Sequence, residues 1–240
     1  MRVLFAGPTL FGENVDLTGI VLRPPARQGD IHAAVEEGAT SIGLVDGVFG
    51  FVASVWHKEI LFALSEGVAV LGAASLGALR AAECHSFGMR PVGAIAAEYI
   101  SGARRDDGDV CLAHAPAELD FMPLSEPLVD VEATLAAMVA HGAATGAEAA
   151  ALLAAARRLY FGDRDVERLC GEAGLPGLAA SYRRHRVAKK TLDARALISE
   201  LRLCPNQRSQ QMEWDFVASD PWRYYLSRLV EEGRSDEHGD

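Results

Sequence analysis

The sequence of 240 residues contains few cysteines and no long apolar run. Its four thiols lie far apart, with no CxxC pair and no histidine at zinc-finger spacing; they are Cys84, Cys111, Cys170 and Cys204. No segment approaches the length of a transmembrane helix, and the apolar run in the opening MRVLFAGPTL is too short for a signal peptide. These features predict a cytoplasmic protein with reduced thiols.

Positive charge is also scarce. Lysine and arginine number 23 against 33 aspartates and glutamates, which gives a formal net charge of −10. Nucleic acids and anionic membranes require clustered cations, so neither is expected as a partner. The chain has no GxGxxG or Walker sequence, and the acidic stretch of Asp106, Asp107 and Asp109 lacks the spacing of a calcium loop. We therefore expect no cofactor and no metal.

The sequence does contain a repeated alternation of short apolar runs and amphipathic segments. The runs at residues 3–7, 19–23, 41–45 and 68–71 are typical of buried strands, and a further short strand is predicted at 110–113. Helices are predicted at residues 31–38, 52–66, 77–87 and 92–100. This order predicts an α/β fold, with a mostly parallel Rossmann-like sheet and helices on both faces.

Composition divides the chain into three regions. Residues 1–122 are predicted to form the α/β core domain, and the alanine-rich residues 123–232 a helical region whose first helix has Pro127 at its first position. The polar residues 233–240 are predicted to be disordered. The C-terminal helices are candidates for an interface with a partner or with a second copy of the chain, as in a homo-oligomer.

Three turns are predicted to meet where the strands end, at the carboxyl edge of the sheet, which is where such folds bind ligands. They are Gly7-Pro8-Thr9, Asp46-Gly47 and the turn carrying Ser75. The last has the sequence AASLG and resembles the G-x-S-x-G turn that exposes a nucleophilic serine.

The backbone N–H groups of Leu76 and Thr9 are then candidate donors to an oxyanion near Ser75. Two other roles for Ser75 remain open. It can cap the following helix, or the same turn can cradle a phosphate or a carboxylate without any covalent step.

The predicted helix at 52–66 carries the candidate general base, His57, at the flank of its apolar face. The pKa of a histidine lies near neutrality and suits this role, although packing or capping is an ordinary alternative. Lys58 is expected to face solvent. Glu59 falls close to the apolar stripe, where a charge needs a partner, and it could orient His57 or pair with Arg80.

Three further charged residues complete the candidate site. Asp46 can orient a base or bind a polar substrate, and it is also an ordinary turn residue before glycine. Arg80 and Glu83 lie three positions apart on the predicted helix 77–87, where a surface ion pair is the simplest expectation.

Beyond these patterns, seven strings occur in order: FAGPTL, PPARQGDI, GLVDGVF, VWHKEIL, GAASLGALRAAE, FGM and PLSEPLVD. Together they resemble the TfuA-like family over roughly the first half of the chain. The most specific feature is VWHKEIL followed closely by GAASLGALRAAE. Membership of these matching strings extends the candidate site to His57, Lys58, Arg80 and Glu83.

The resemblance implies a function in peptide thioamidation. Proteins of this family accompany YcaO-type cyclodehydratases, and the implied task is to hydrolyse the C-terminal thiocarboxylate of a ThiS-like sulfur carrier protein. The released sulfide would serve the ATP-dependent YcaO partner. In this chemistry Ser75 would attack the carbonyl carbon, with His57 as the base and the amides of Leu76 and Thr9 around the oxyanion.

Two other functions remain open. A non-catalytic adaptor could bring the sulfur carrier to the YcaO enzyme through a groove at the same edge of the sheet. A small-molecule binding domain could hold an anion at the helix N-terminus.

Overall fold

A computed structural model describes residues 1–48, 52–209 and 214–236. Five strands form one sheet: β1 (Arg2–Phe5), β2 (Ile20–Arg23), β3 (Ser41–Leu44), β4 (Ala69–Gly72) and β5 (Arg90–Pro91). All neighbouring strands are parallel, in the order β2-β1-β3-β4-β5. In this register Arg2 pairs with Ile20 on one side and with Ser41 on the other. The predicted fold class is confirmed.

Ten α-helices lie in the described residues. They are α1 (Asp30–Glu36), α2 (His57–Ser65), α3 (Leu76–Cys84), α4 (Gly93–Ser101), α5 (Leu128–Ala140), α6 (Gly146–Arg158), α7 (Val166–Glu172), α8 (Ala179–Arg184), α9 (Lys189–Leu203) and α10 (Asp220–Asp236). None of these helices has the length and hydrophobicity to cross a lipid bilayer.

Both faces of the sheet are covered, which explains why its inner strands are apolar apart from Arg2 and Ser41 at the start of β1 and β3. Val3 and Phe5 of β1 pack with residues of α1, α2 and α3 on one face. Leu4, which points the other way, packs on the opposite face with α9. The apolar stripe of α9 consists of Ala194, Leu197, Ile198 and Leu201. A helix from the C-terminal region therefore completes the core of the sheet.

Helices α5 to α8 share an apolar cluster of their own. Leu135, Met138, Leu152, Leu169 and Tyr182 are among its buried residues. This cluster fits the predicted helical region, while α9 returns from it to the sheet. The division of the chain at residue 122 stays a prediction.

Several element boundaries differ from the predictions. Residues 110–113 form no strand, and the short β5 was not predicted. Helix α2 begins at His57 instead of residue 52, because Trp56 before it is still extended. Pro127 is the N-cap of α5 and not its first residue. Helix α10 continues to Asp236 through the start of the predicted disordered tail, and residues 237–240 lie outside the described residues.

Candidate functional site

The turns after β1 and β3 meet at the carboxyl edge of the sheet. The chain reverses its direction of strand addition between these two strands, and such switch points are the usual ligand sites of open parallel sheets. The carboxylate of Asp46 accepts hydrogen bonds from the backbone N–H groups of Gly7 (2.9 Å) and Thr9 (3.0 Å). It also accepts one from the Thr9 hydroxyl at 2.6 Å. Pro8 begins a short 3-10 turn, Pro8–Leu10, inside this arrangement.

These contacts correct two expectations. The N–H of Thr9 is occupied by Asp46 and does not serve as a second oxyanion donor in this arrangement. Asp46 holds the turn after β1, and no histidine in the described part of the chain is bonded to it, so it does not orient a base in this arrangement. Only 2 % of Asp46 is exposed, and a buried carboxylate with three donors acts as a fixed part of the edge.

Lys190, in the first turn of α9, lies in the same cluster and was not predicted. It is 2 % exposed, and its Nζ donates to the Val110 carbonyl at 2.9 Å. The distance from Nζ to Asp46 Oδ1 is 3.9 Å. The sequence does contain a signal that Lys190 is buried, because this residue precedes Ala194 and Leu197 at the helical spacing of the buried stripe of α9.

Ser75 lies on a strained turn between β4 and α3. Ala74 has a positive φ of 66°, and the N–H of Ser75 donates to the Ala73 carbonyl at 2.8 Å, which closes a γ-turn. Ser75 is 4 % exposed and occupies the N-cap position, yet its side chain makes no capping hydrogen bond. Among the described residues its Oγ has no hydrogen-bond partner, and it is not one of the fully enclosed polar atoms. Strain of this kind is concentrated at functional sites.

The N-terminus of α3 is packed directly against the end of β3. The N–H of Gly77 donates to the Val45 carbonyl at 3.2 Å, and the Leu76 side chain lies against Gly47. The N–H of Leu76 has no hydrogen-bond partner among residues 1–48, 52–209 and 214–236. Ser75 and a free helix N-terminal amide are thereby placed beside the loop that carries Asp46.

His57 belongs to a second group of contacts, farther along α3. Its Nε2 is 2.8 Å from Glu83 Oε2, and Arg80 Nη1 donates to the same oxygen at 2.7 Å. Arg80 Nε also donates to the Val55 carbonyl at 2.9 Å. Burial favours the protonated form of Glu83, but the hydrogen bonds from His57 and Arg80 hold the pKa of its carboxyl below its usual range. The Arg80–Glu83 pair is therefore present and includes His57 as well.

The predicted Ser75–His57 pair is not formed. Glu83, the partner of His57, lies about 12 Å beyond Ser75 along the axis of α3. The candidate residues thus separate into two groups. One lies at the ends of β1, β3 and β4, and the other lies along α3. The first group has Thr9, Asp46, Ser75 and Lys190; the second has His57, Arg80 and Glu83.

Lys58 and Glu59 have roles other than those expected. Lys58 Nζ donates to the Val217 carbonyl at 2.7 Å and lies 4.7 Å from the centre of the Phe216 ring. Glu59 is fully buried and accepts the backbone N–H groups of Trp56 (3.1 Å) and Gly29 (2.8 Å). It binds neither His57 nor Arg80, because its carboxylate caps the first turns of α1 and α2.

Burial raises the pKa of Glu59 to about 7 from its ordinary 4.5, against the opposing effect of these amide hydrogen bonds. A raised carboxyl pKa means that the folded state binds the proton more tightly than the unfolded state. We expect the free energy of unfolding to fall by about 3 kcal/mol from this residue as pH rises from about 4.5 to 7. Urea denaturation of the parent and Glu59→Gln at several pH values measures this. An equal pH slope in both proteins would contradict it.

A family model described as TfuA-like protein matches residues 46–165, half of the 240-residue chain. The chain belongs to the TfuA-like family. Membership of this family associates the chain with YcaO-dependent thioamidation. The matched stretch includes Asp46, His57, Ser75 and Glu83, while Thr9 and Lys190 lie outside it. Among curated proteins, none matches the chain.

The His57 group of this TfuA-like protein borders a cavity of about 500 Å³. His57, Arg80 and Trp56 line it from the core, and Tyr224 and Tyr225 line it from α10. The ring of Trp222, which is 2 % exposed, packs 5.9 Å from Trp56 and fixes α10 against α2. These aromatic side chains join α10 to the α/β core and form one wall of this cavity.

The cysteines of this TfuA-like protein are unsuited to nucleophilic roles. All four are free and buried. Burial raises the pKa of Cys84 and of Cys111 to about 11, so that neither thiol is ionised at neutral pH. In the described residues no three His, Cys, Asp or Glu side chains are grouped to hold a metal ion. Among the side chains at the strand ends, the Ser75 hydroxyl is the candidate nucleophile.

Proposed function

We propose that this TfuA-like protein hydrolyses the C-terminal thiocarboxylate of a ThiS-like sulfur carrier protein and so supplies sulfide to a YcaO-type cyclodehydratase. The reaction converts carrier–COS⁻ and water into carrier–COO⁻, HS⁻ and a proton. The YcaO partner would use the sulfide, with ATP, to replace an amide oxygen in a peptide. The proposal needs a nucleophile, an oxyanion donor and room for a peptide tail.

The observation that carries the proposal is the unpartnered Ser75 hydroxyl next to the unpartnered Leu76 amide, on a strained turn at the switch-point edge. A helix N-terminus leaves its first amides without partners inside the helix, so the Leu76 N–H and the Ser75 hydroxyl beside it are available to an anionic ligand. Placed at the N-terminus of α3, they suit a developing negative charge.

In the proposed mechanism Ser75 Oγ attacks the thiocarboxylate carbon and the C–S bond breaks. The thiocarboxylate sulfur carries no proton, so the proton taken from Ser75 is passed to the sulfur and the leaving group departs as HS⁻, a weak base that needs no strong acid to leave. Water then hydrolyses the acyl-serine ester and regenerates the hydroxyl. The Leu76 N–H stabilises the oxyanion in both steps.

The proton of Ser75 goes to a base, for which His57 is the candidate. Glu83 accepts from the Nε2–H of His57, which leaves Nδ1 as the proton-accepting atom. One bridging water spans only about 5–6 Å between heavy atoms, so transfer from Ser75 to His57 needs a chain of two or more waters across the separation of the two groups. Glu83 would orient the ring and stabilise its charged form, as the acid of a catalytic triad does.

The missing hydrogen bond between Ser75 and His57 favours a second candidate, the non-catalytic adaptor. In that case the Ser75 turn would hold the anionic end of the carrier tail without attacking it. The two functions share the same binding site and differ only in the covalent step.

One experiment separates them. The purified protein is mixed with a thiocarboxylated carrier in the absence of the YcaO enzyme, and both sulfide release and carrier binding are measured. Hydrolysis predicts catalytic release well above the spontaneous rate. Tight binding with release at the spontaneous rate would refute the hydrolase and support the adaptor.

A further inference from the structure

We infer that Lys190 is the charge-selecting residue of the Ser75 site, where it offsets Asp46 and allows a carrier tail with an anionic end to bind. The inference rests on the proposed function and deepens it, because it assigns the preference for an anionic tail to a helix outside the matched family region. Lys190 acts here as a positioning and specificity residue and not as a group that reacts.

The geometry of Lys190 is unusual for a lysine. Both Lys190 and Asp46 are 2 % exposed, and lysine is almost never fully buried unless it is paired. Among the described residues, the ammonium has one acceptor at hydrogen-bond distance, the Val110 carbonyl at 2.9 Å. Asp46 Oδ1, at 3.9 Å, is too far for a hydrogen bond but close enough for strong attraction at a buried position.

The charges around this site show why the cation matters. Asp46 uses its oxygens to hold Gly7 and Thr9, and those amides carry no net charge. A second buried acid, Asp130, accepts the backbone N–H of Lys190 at 3.0 Å. Without Lys190 these carboxylates would make the edge strongly negative, in a chain whose formal net charge is already −10. An anionic tail would then be repelled from Ser75.

The cation is also linked to the reactive turn through a short series of contacts. Asp46 is followed by Gly47, which lies against the Leu76 side chain. The next residue of α3, Gly77, is bonded to the strand end just before Asp46. A charge at Lys190 therefore acts on the Ser75 turn across a closely packed layer, where electrostatic effects are screened little.

A purely structural role is the competing explanation, since Lys190 also ties the start of α9 to Val110. The two explanations differ in a measurable quantity. A structural role predicts that removing Lys190 weakens all ligands equally or unfolds the protein. A charge-selecting role predicts a change in the ratio of affinities for an anionic and a neutral tail of the same sequence.

The test measures the affinity of the full-length protein for a carrier ending in a carboxylate and for the same carrier ending in a primary amide. We expect Lys190→Met to lower the carboxylate-to-amide ratio by about tenfold and Lys190→Arg to keep it. Asp46→Asn is expected to raise the ratio, and the double variant to return it toward the parental value. Because neither buried charge is left alone in the double variant, it also guards against loss of folding.

Lys189→Met is the matched control, because the neighbouring Lys189 pairs with Glu98 and not with Asp46. It should leave the ratio unchanged. An unchanged ratio in Lys190→Met, or in Asp46→Asn where Lys190→Met does not fold, would overturn the inference. Sulfide release is scored separately: an anion-selective parent that releases none refutes the hydrolase alone, and a sulfide-releasing parent with a Lys190-independent ratio refutes the inference alone.

Discussion

Ser75→Ala is expected to lower sulfide release from the thiocarboxylated carrier by about a thousandfold or more while leaving carrier binding close to the parental value. The hydroxyl has no hydrogen bond to lose, and alanine fits a turn that is already built from alanine and glycine. The change therefore removes the nucleophile and little else. Initial rates of sulfide formation and a binding titration measure the two effects.

Ser199→Ala is the matched control for this prediction. Ser199 lies on an exposed part of α9, where its Oγ donates to the Arg195 carbonyl within the same helix. Its replacement should leave sulfide release unchanged. If Ser75→Ala releases sulfide at the parental rate, Ser75 is not the nucleophile.

His57→Ala should retain more activity than Ser75→Ala, because water can take over part of a base's role but not that of a covalent nucleophile.

Gly77→Ala is expected to lower the free energy of unfolding by at least about 3 kcal/mol. A Cβ at this position would lie 1.8 Å from the Leu44 carbonyl oxygen and 2.6 Å from its carbon. Both are backbone atoms at the end of β3 and cannot rotate away. The substitution must push α3 off the sheet, and with it the Ser75 turn. Chemical denaturation followed by circular dichroism measures the loss.

Gly171→Ala provides the control for the effect of a glycine substitution in a helix. Gly171 lies inside α7, and a Cβ there would meet no heavy atom within 4 Å. Alanine is the better helix former, so this variant should gain about 0.5–1 kcal/mol. Equal stability of the Gly77→Ala protein and the parent would contradict the close packing of α3 on β3.

The parallel sheet could be predicted from the sequence because four of its strands, β1 to β4, are apolar runs that end in turns. Alternation with helical segments then sets the parallel direction and brings the strand ends to one edge. This reasoning placed Thr9, Asp46 and Ser75 at the same edge. It missed β5, Arg90–Pro91, because two exposed residues carry no apolar pattern.

The individual partners of the site residues could not be predicted in the same way. Asp46 bonds Thr9 because β1 and β3 are adjacent in the sheet, although β2 and α1 lie between them in sequence. Lys190 reaches the edge only because α9 returns from the helical region to cover the second face. His57 meets Glu83 because of how α2 packs beside α3, and the spacing within one helix says nothing about such a contact.

The central claim is that this TfuA-like protein hydrolyses a thiocarboxylate. Its most direct test is the mass of the carrier after reaction with the protein in oxygen-18 water, with no YcaO enzyme present. Hydrolysis predicts that each carrier loses its sulfur and gains one oxygen-18 atom at its C-terminus, and that sulfide appears in equal amount. A carrier that binds the protein and keeps its sulfur for as long as it does in buffer would contradict the claim.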